Sequence, residues 1–173
     1  MDVLNPNAPG EAGMRFNDGC VDPVGRFWAG TMPKAGPANA AAGEPGNGLL
    51  FRLEADRSSP RILDGFYTQN GLAFSPDGAV MYLSDSHPAV RTIWAFDFHL
   101  ESGRPSNRRV FFDTRQVAGR PDGAAMDADG GYWMAGIEGW QVVRITPGRT
   151  VLTRMPSPAT SFASPSVMVS MAP

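Results

Sequence analysis

Asn70-Gly71-Leu72-Ala73-Phe74-Ser75-Pro76-Asp77-Gly78 reads as a short apolar strand running into a tight turn. The same phrase occurs on either side of it. Asn17-Asp18-Gly19-Cys20-Val21-Asp22-Pro23-Val24-Gly25 begins 53 residues earlier, and Asp122-Gly123-Ala124-Ala125-Met126-Asp127-Ala128-Asp129-Gly130 begins 52 residues later. A period near fifty residues, built of short strands and Gly turns, marks a β-propeller or a related array. Equivalent positions of successive blades face one axis. Asn17, Asn70 and Asp122 are therefore expected to point at one another, and three convergent oxygen-bearing side chains suit a metal or substrate site.

The residues between the repeats agree with this reading. Strand-like runs occupy Arg26–Met32, Leu49–Leu53, Arg61–Gly65, Gly71–Phe74, Val80–Asp85, Thr92–Asp97, Val110–Asp113, Gly123–Met126, Tyr132–Gly136, Gln141–Ile145 and Val151–Met155. No window carries helical periodicity with caps. Asp77-Gly78 and Asp129-Gly130 supply turn chemistry before strands rich in aromatic and apolar residues. Lys34–Gly48 is rich in Ala, Gly, Pro and Asn, and reads as a flexible loop within one blade. The expected fold is all-β: a propeller of the six-bladed type, present as a partial propeller of about three blades. The strands count as roughly two complete four-stranded blades and parts of two more. Residues 1–156 form the partial propeller domain. Residues 157–173 lack charge and alternation, and read as a disordered or aberrant tail.

Composition narrows the partners. Of 173 residues, 42% are apolar and 18% charged, and the formal net charge is −2, too small to predict a nucleic-acid or membrane-surface partner. Cys20 is the only cysteine, so no intrachain disulfide forms, which fits a reducing compartment. The first residues resemble no signal peptide and no apolar run spans a bilayer, so the expected location is cytoplasmic. An unclosed propeller exposes strand edges, which allows self-association.

Arg15-Phe16-Asn17-Asp18-Gly19 with Val21-Asp22-Pro23 and Gly25-Arg26-Phe27-Trp28-Ala29-Gly30-Thr31-Met32 resembles the SMP-30/gluconolactonase/LRE (regucalcin-like) family. So do the Asn70–Gly78 string with Tyr82 and Asp85-Ser86, the Phe96-Asp97-Phe98 to Val110 stretch, and Pro121-Asp122-Gly123 with Asp127, Gly130, Trp133 and Ala135. The resemblance implies a six-bladed propeller holding one divalent metal ion, Ca²⁺ or Zn²⁺, with Mn²⁺ and Mg²⁺ as alternatives. It implies Asn70 and Asp122 as metal ligands, Asp122 also as the catalytic general base, and Arg15 and Asn17 as substrate-binding residues. The implied substrate is a sugar lactone, opened to the aldonic acid. By the same resemblance the chain is a fragment covering roughly the middle half of a family member. It lacks the first-blade glutamate ligand, which Asp2 and Glu11 do not replace, and it lacks the closing blades.

Each residue has a plainer reading. Asx before Gly commonly bonds its own turn backbone; three in register favour the channel. Arg15 alone can be a solvated charge. Asp127-Ala128-Asp129-Gly130 starts like a calcium loop, lacks the remaining ligand spacing, and reads as a hairpin turn. His87 and His99 are expected at the surface, Trp28, Trp94 and Trp133 in blade packing, and Cys20 as a small buried apolar residue. Glu44 reads as a solvated loop acid. Two further functions stay open: a non-catalytic calcium- or sugar-acid-binding propeller, and a fragment without activity.

Overall fold

Twelve strands form three antiparallel four-stranded sheets in a computed structural model that describes residues 13–36, 46–147 and 149–154. Blade 1 is β1 (Met14–Val21), β2 (Phe27–Pro33), β3 (Gly46–Arg52) and β4 (Arg61–Gly65). Blade 2 is β5 (Gln69–Phe74), β6 (Val80–Asp85), β7 (Thr92–His99) and β8 (Arg104–Asp113). Blade 3 is β9 (Arg120–Met126), β10 (Tyr132–Ile137), β11 (Gln141–Thr146) and β12 (Arg149–Arg154). Strand order within each blade follows the chain, β1 lies beside β5, and β5 lies beside β9. This is the up-and-down blade arrangement of a propeller, with the first strand of each blade innermost. A single turn of 3-10 helix at Thr114–Gln116 interrupts it, and no described helix is long and apolar enough to cross a membrane.

The structure differs from the sequence reading most at β1, β8 and β3, and β5, β9 and β12 also begin two or three residues earlier than expected. β1 was not expected as a strand, and with it the first blade is complete, giving three whole blades. Asn17-Asp18-Gly19 looks like turn chemistry, but a register shift between Phe16 and Gly19 absorbs those residues within the β1–β2 ladder. β8 begins six residues earlier than expected, at Arg104. Gly46–Gly48 opens β3 instead of closing a loop; residues 37–45, which include Glu44, and the tail at 157–173 lie outside the described residues.

Blade 2 holds the molecule together because both of its faces are covered. Its strands alternate, as a pleated sheet requires. Leu72, Phe74, Met81, Leu83, Phe96 and Phe98 pack with Trp28, Leu50 and Phe66 of the blade 1 side. Ala73, Tyr82, Ile93 and Ala95 pack with Tyr132, Met134, Val143 and Ile145 of blade 3. Each fully buried aliphatic or Phe side chain contributes about 1.5–3 kcal/mol. The contact between blades 1 and 2 leaves no spare volume: a Cβ at Gly30 would overlap the Gln69 side chain.

The innermost hairpins of blades 1 and 3 share one device. Asp22 accepts hydrogen bonds from the Val24 and Arg26 amides at 3.1 and 3.0 Å, from Arg26 Nε at 2.7 Å, and from the Trp28 indole at 3.0 Å. Asp127 accepts from the Asp129 and Gly131 amides at 3.0 and 2.7 Å, from Arg144 Nε at 2.6 Å, and from the Trp133 indole at 2.7 Å. A turn carboxylate thus anchors the following strand through its tryptophan. Asp127 belongs to a hairpin turn, as expected. In blade 2, Ser75 holds the corresponding place and its hydroxyl accepts from the Val80 amide at 2.9 Å.

Candidate functional site

All three inner strands slip register at the position the repeats share. The ladder shifts between Phe16 and Gly19 in β1, between Asn70 and Ala73 in β5, and between Pro121 and Ala124 in β9. Such bulges re-aim side chains that strict alternation would otherwise send into the blade interfaces. In β5 the bulge needs glycine: Gly71 has φ +57°, and a Cβ there would overlap the Tyr132 hydroxyl.

The bulges bring part of the expected site together. Asn70 is buried, and its Nδ2 donates to Asp122 Oδ1 at 2.7 Å across the gap between blades 2 and 3. Asn70 Oδ1 accepts from the Gly71 amide at 2.9 Å. Asn17 is exposed and does not touch that pair directly. Its Nδ2 donates to the Gln69 carbonyl at 2.7 Å, one residue before Asn70. Arg15 is exposed beside it, with Nη1 donating to Asn17 Oδ1 at 3.2 Å and to the Phe16 carbonyl at 3.0 Å. Arg15 and Asn17 therefore form one polar edge on β1, next to the Asn70–Asp122 pair.

The sequence reading missed three residues here. Asp18 accepts from the Leu72 amide at 2.9 Å, tying β1 to β5. Burial raises its carboxyl above the usual aspartate range; the negative charge of Asp122 adds to this, and backbone amides led by Leu72 oppose it. The signal available was its place beside Asn17 inside the repeat. Ser86 donates to the Pro121 carbonyl and receives Asn70 Nδ2 at 3.4 Å, joining blades 2 and 3 beneath Asp122. Asp85 is buried and accepts from the amides of Tyr67, Thr68 and His87 at 2.8, 3.0 and 2.9 Å. It anchors the loops that flank Asn70.

The remaining candidates fall out of the site. His99 is exposed and bonds Ser102, whereas His87 is half-buried against the Tyr67 ring, centroids 4.7 Å apart. Cys20 is half-buried beside the core between blades 1 and 2. Among the described residues, no three His, Cys, Asp or Glu side chains group as a metal cluster. A cation here would rest on one carboxylate and one carboxamide.

Comparison with known proteins agrees with the fold. The profile of the family described as SMP-30/Gluconolactonase/LRE-like region matches residues 2–168. The chain belongs to this family. This SMP-30/gluconolactonase-type chain is 39% identical over 156 residues to 6-deoxy-6-sulfogluconolactonase of Pseudomonas putida, covering 90% of the chain and 50% of that enzyme. It is 41% identical over 133 residues to regucalcin of Xenopus laevis, covering 77% of the chain and 43% of regucalcin. It superimposes on the crystal structure of a calcium-binding regucalcin from Agrobacterium tumefaciens with a TM-score of 0.71 and 28% identity, covering 83% of the chain and 46% of that structure. The chain spans about half the length of the curated relatives it matches.

Proposed function

We propose that this chain carries the central part of a metal-assisted sugar-lactone hydrolase site. The observation that carries the reading is the 2.7 Å bond between Asn70 and Asp122, made across adjacent inner strands. The relationship to a sulfogluconolactonase supports the substrate class. The donor chemistry fits a divalent cation in kind: a carboxylate and a carboxamide are hard oxygen donors, suited to Ca²⁺, with Zn²⁺ as an alternative. Asp122 Oδ2 takes no hydrogen bond from the described residues, which leaves an oxygen free for a cation or a proton. Asn70 and Asp122 are the residues that would hold the ion, with the Asn70 carboxamide turned so that its oxygen, which here accepts from the Gly71 amide, replaces the Nδ2 that faces Asp122. When bound, a divalent cation polarises the lactone carbonyl and stabilises the charge that builds on its oxygen.

The protein groups then have distinct tasks. Asp122 takes a proton from the water that attacks the lactone carbonyl carbon. The bond from that carbon to the ring oxygen breaks, and the proton returns to the departing oxygen, leaving a hydroxyl and the aldonic acid. Arg15 offers a planar set of donors to substrate oxygens. Asn17, held by the Gln69 carbonyl, presents its own carboxamide oxygen to a sugar hydroxyl beside Arg15.

A second reading rests on the calcium-binding regucalcin that shares the fold. In it the same residues hold a cation and a sugar acid without turnover. Calorimetric titration with CaCl₂ and ZnCl₂, with and without gluconate, tests the shared site. Binding that weakens in Asn70→Ala and in Asp122→Ala supports both readings, and binding unchanged in both variants contradicts both. Turnover of lactone separates the two.

A further inference from the structure

The open side of blade 3 repeats the side of blade 1 that receives blade 2. On blade 1, Trp28 pairs with Arg52 and Gly30 with Leu50, forming one patch of four residues. On blade 3, Trp133 pairs with Arg144 and Ala135 with Val142. The likeness extends to the stacking. The Arg52 guanidinium lies 5.4 Å from the Trp28 ring, and that of Arg144 lies 5.9 Å from the Trp133 ring. Each tryptophan also donates its indole N–H to the turn aspartate of its own hairpin.

The two patches differ in cover. Blade 2 buries Trp28 and Leu50 completely. On blade 3, Trp133 and Val142 are half-buried and Ala135 is exposed. Ile137 and Trp140 beside them are 40% and 59% exposed. Ala135, Ile137, Trp140 and Val142 line a concavity of about 330 Å³. An apolar sheet face of this kind marks an interface.

The piece that fits the patch stands at the other end of the same chain. Blade 2 covers Trp28 partly with Phe74, whose ring centroid lies 6.0 Å from the indole, and Phe74 pairs with Met81 across the hairpin. The corresponding pair in blade 1 is Val21 with Phe27. They are 55% and 40% exposed. One chain thus presents an uncovered receiving patch on blade 3 and an uncovered inserting pair on blade 1, and both continue the interface already formed between blades 1 and 2.

We propose that two copies of this chain close on each other about a two-fold axis, the Val21–Phe27 pair of each entering the Trp133–Val142 patch of the other. A head-to-tail contact closes into a ring only when its rotations sum to a full turn. Each copy brings three blades, about half of its relatives' length, so two copies complete one circle. Propellers of four to eight blades close this way. Both Asn70–Asp122 pairs would then face a single channel.

Sedimentation velocity on the 173-residue chain tests the assembly. The expected mass is twice the 18.5 kDa of one chain. Val142→Glu and Val21→Glu are each expected to give monomers with unchanged far-ultraviolet circular dichroism. An equimolar mixture of the two variants is expected to associate more than either variant alone, because only the mixture contains an intact contact: the unaltered Val21–Phe27 pair of one variant against the unaltered Trp133–Val142 patch of the other. The second contact then carries both glutamates, so the mixed pair should be weaker than the wild-type dimer. A wild-type monomer at every concentration would overturn the proposal. So would a mixture that associates no more than its components, or an open series of larger species from the wild-type chain.

Discussion

Asn70 and Asp122, 52 residues apart and on different blades, are joined side chain to side chain at 2.7 Å. The contact depends on the neighbouring backbone. Asn70 is followed by Gly71, whose left-handed conformation bends β5. The carbonyl of Gly71 accepts from the Tyr132 hydroxyl of blade 3 at 2.6 Å. The position of the polar pair and the docking of blade 3 on blade 2 are therefore set by the same residue.

Gly71→Ala is expected to lower both stability and activity. The added Cβ would overlap the Tyr132 hydroxyl and lie 2.7 Å from Ser84 Oγ, in a backbone conformation that L side chains resist. The expected loss is about 1–3 kcal/mol. Urea denaturation measures it, and an unchanged midpoint would contradict the close approach.

The Asp18 carboxyl is expected to respond to the charge of Asp122. Burial first, and the Asp122 charge second, hold the Asp18 carboxyl above its ordinary range. The folded state therefore keeps the Asp18 proton more tightly than the unfolded state. The stability this contributes is present below the ordinary aspartate range and is lost as pH rises through the raised value. In Asp122→Asn one of the raising causes disappears, so the Asp18 titration should move down in pH. Carboxyl-carbon NMR would follow it, and a curve that does not move would show that the two charges do not interact.

Asp22 and Asp127 should behave in the opposite sense. For Asp127, the Arg144 guanidinium is the main cause of a strongly lowered carboxyl. For Asp22, burial acts to raise the value and is outweighed by the Trp28 indole and by the amide and guanidinium of Arg26. Their contributions are present above the ordinary aspartate range and lost as pH falls through the lowered values. Asp22→Ala would leave the buried Trp28 indole without its acceptor and Arg26 without its carboxylate, though Arg26 still donates to the Leu100 and Glu101 carbonyls, at a cost of about 1–3 kcal/mol. The half-exposed Asp127 should cost less. Denaturation at neutral and acidic pH would show each variant losing less stability on acidification than the parent; parallel curves would contradict the assignment.

Arg15→Ala is expected to raise KM about tenfold with little change in kcat, as loss of one charged hydrogen bond to substrate predicts. Among the described residues, Arg15 bonds its neighbours Phe16 and Asn17, so the fold should survive. Steady-state kinetics decide it, and an unchanged KM would remove Arg15 from the substrate site.

Most of the blade strands were legible because each alternates or runs apolar between Gly, Pro and Asp turns, as Val80–Asp85 does. β1 was not, because Asn17-Asp18-Gly19 carries turn residues inside a strand. They are tolerated there because the bulge turns Asn17 to the Gln69 carbonyl and Asp18 to the Leu72 amide. The repeat spacing pointed to Asn70 and Asp122 because equivalent blade positions meet at the axis. Asp85 and Ser86 escaped notice as supports because their partners are backbone groups: Asp85 binds the amides of Tyr67, Thr68 and His87, and Ser86 the Pro121 carbonyl. Side-chain patterns do not reveal such partners. The likeness of blades 1 and 3 was half visible, as Asp22 and Trp28 against Asp127 and Trp133. The arginines that complete it, Arg52 and Arg144, lie on the third strand of each blade, and only strand register aligns them.

The most direct measurement is proton release from gluconolactone above the spontaneous rate, with Ca²⁺ or Zn²⁺ and with chelator, for the wild-type chain and Asp122→Ala. Release that needs the cation and falls to background in Asp122→Ala is the expected result. Cation-dependent release that persists in Asp122→Ala would contradict the role proposed for the Asn70–Asp122 pair.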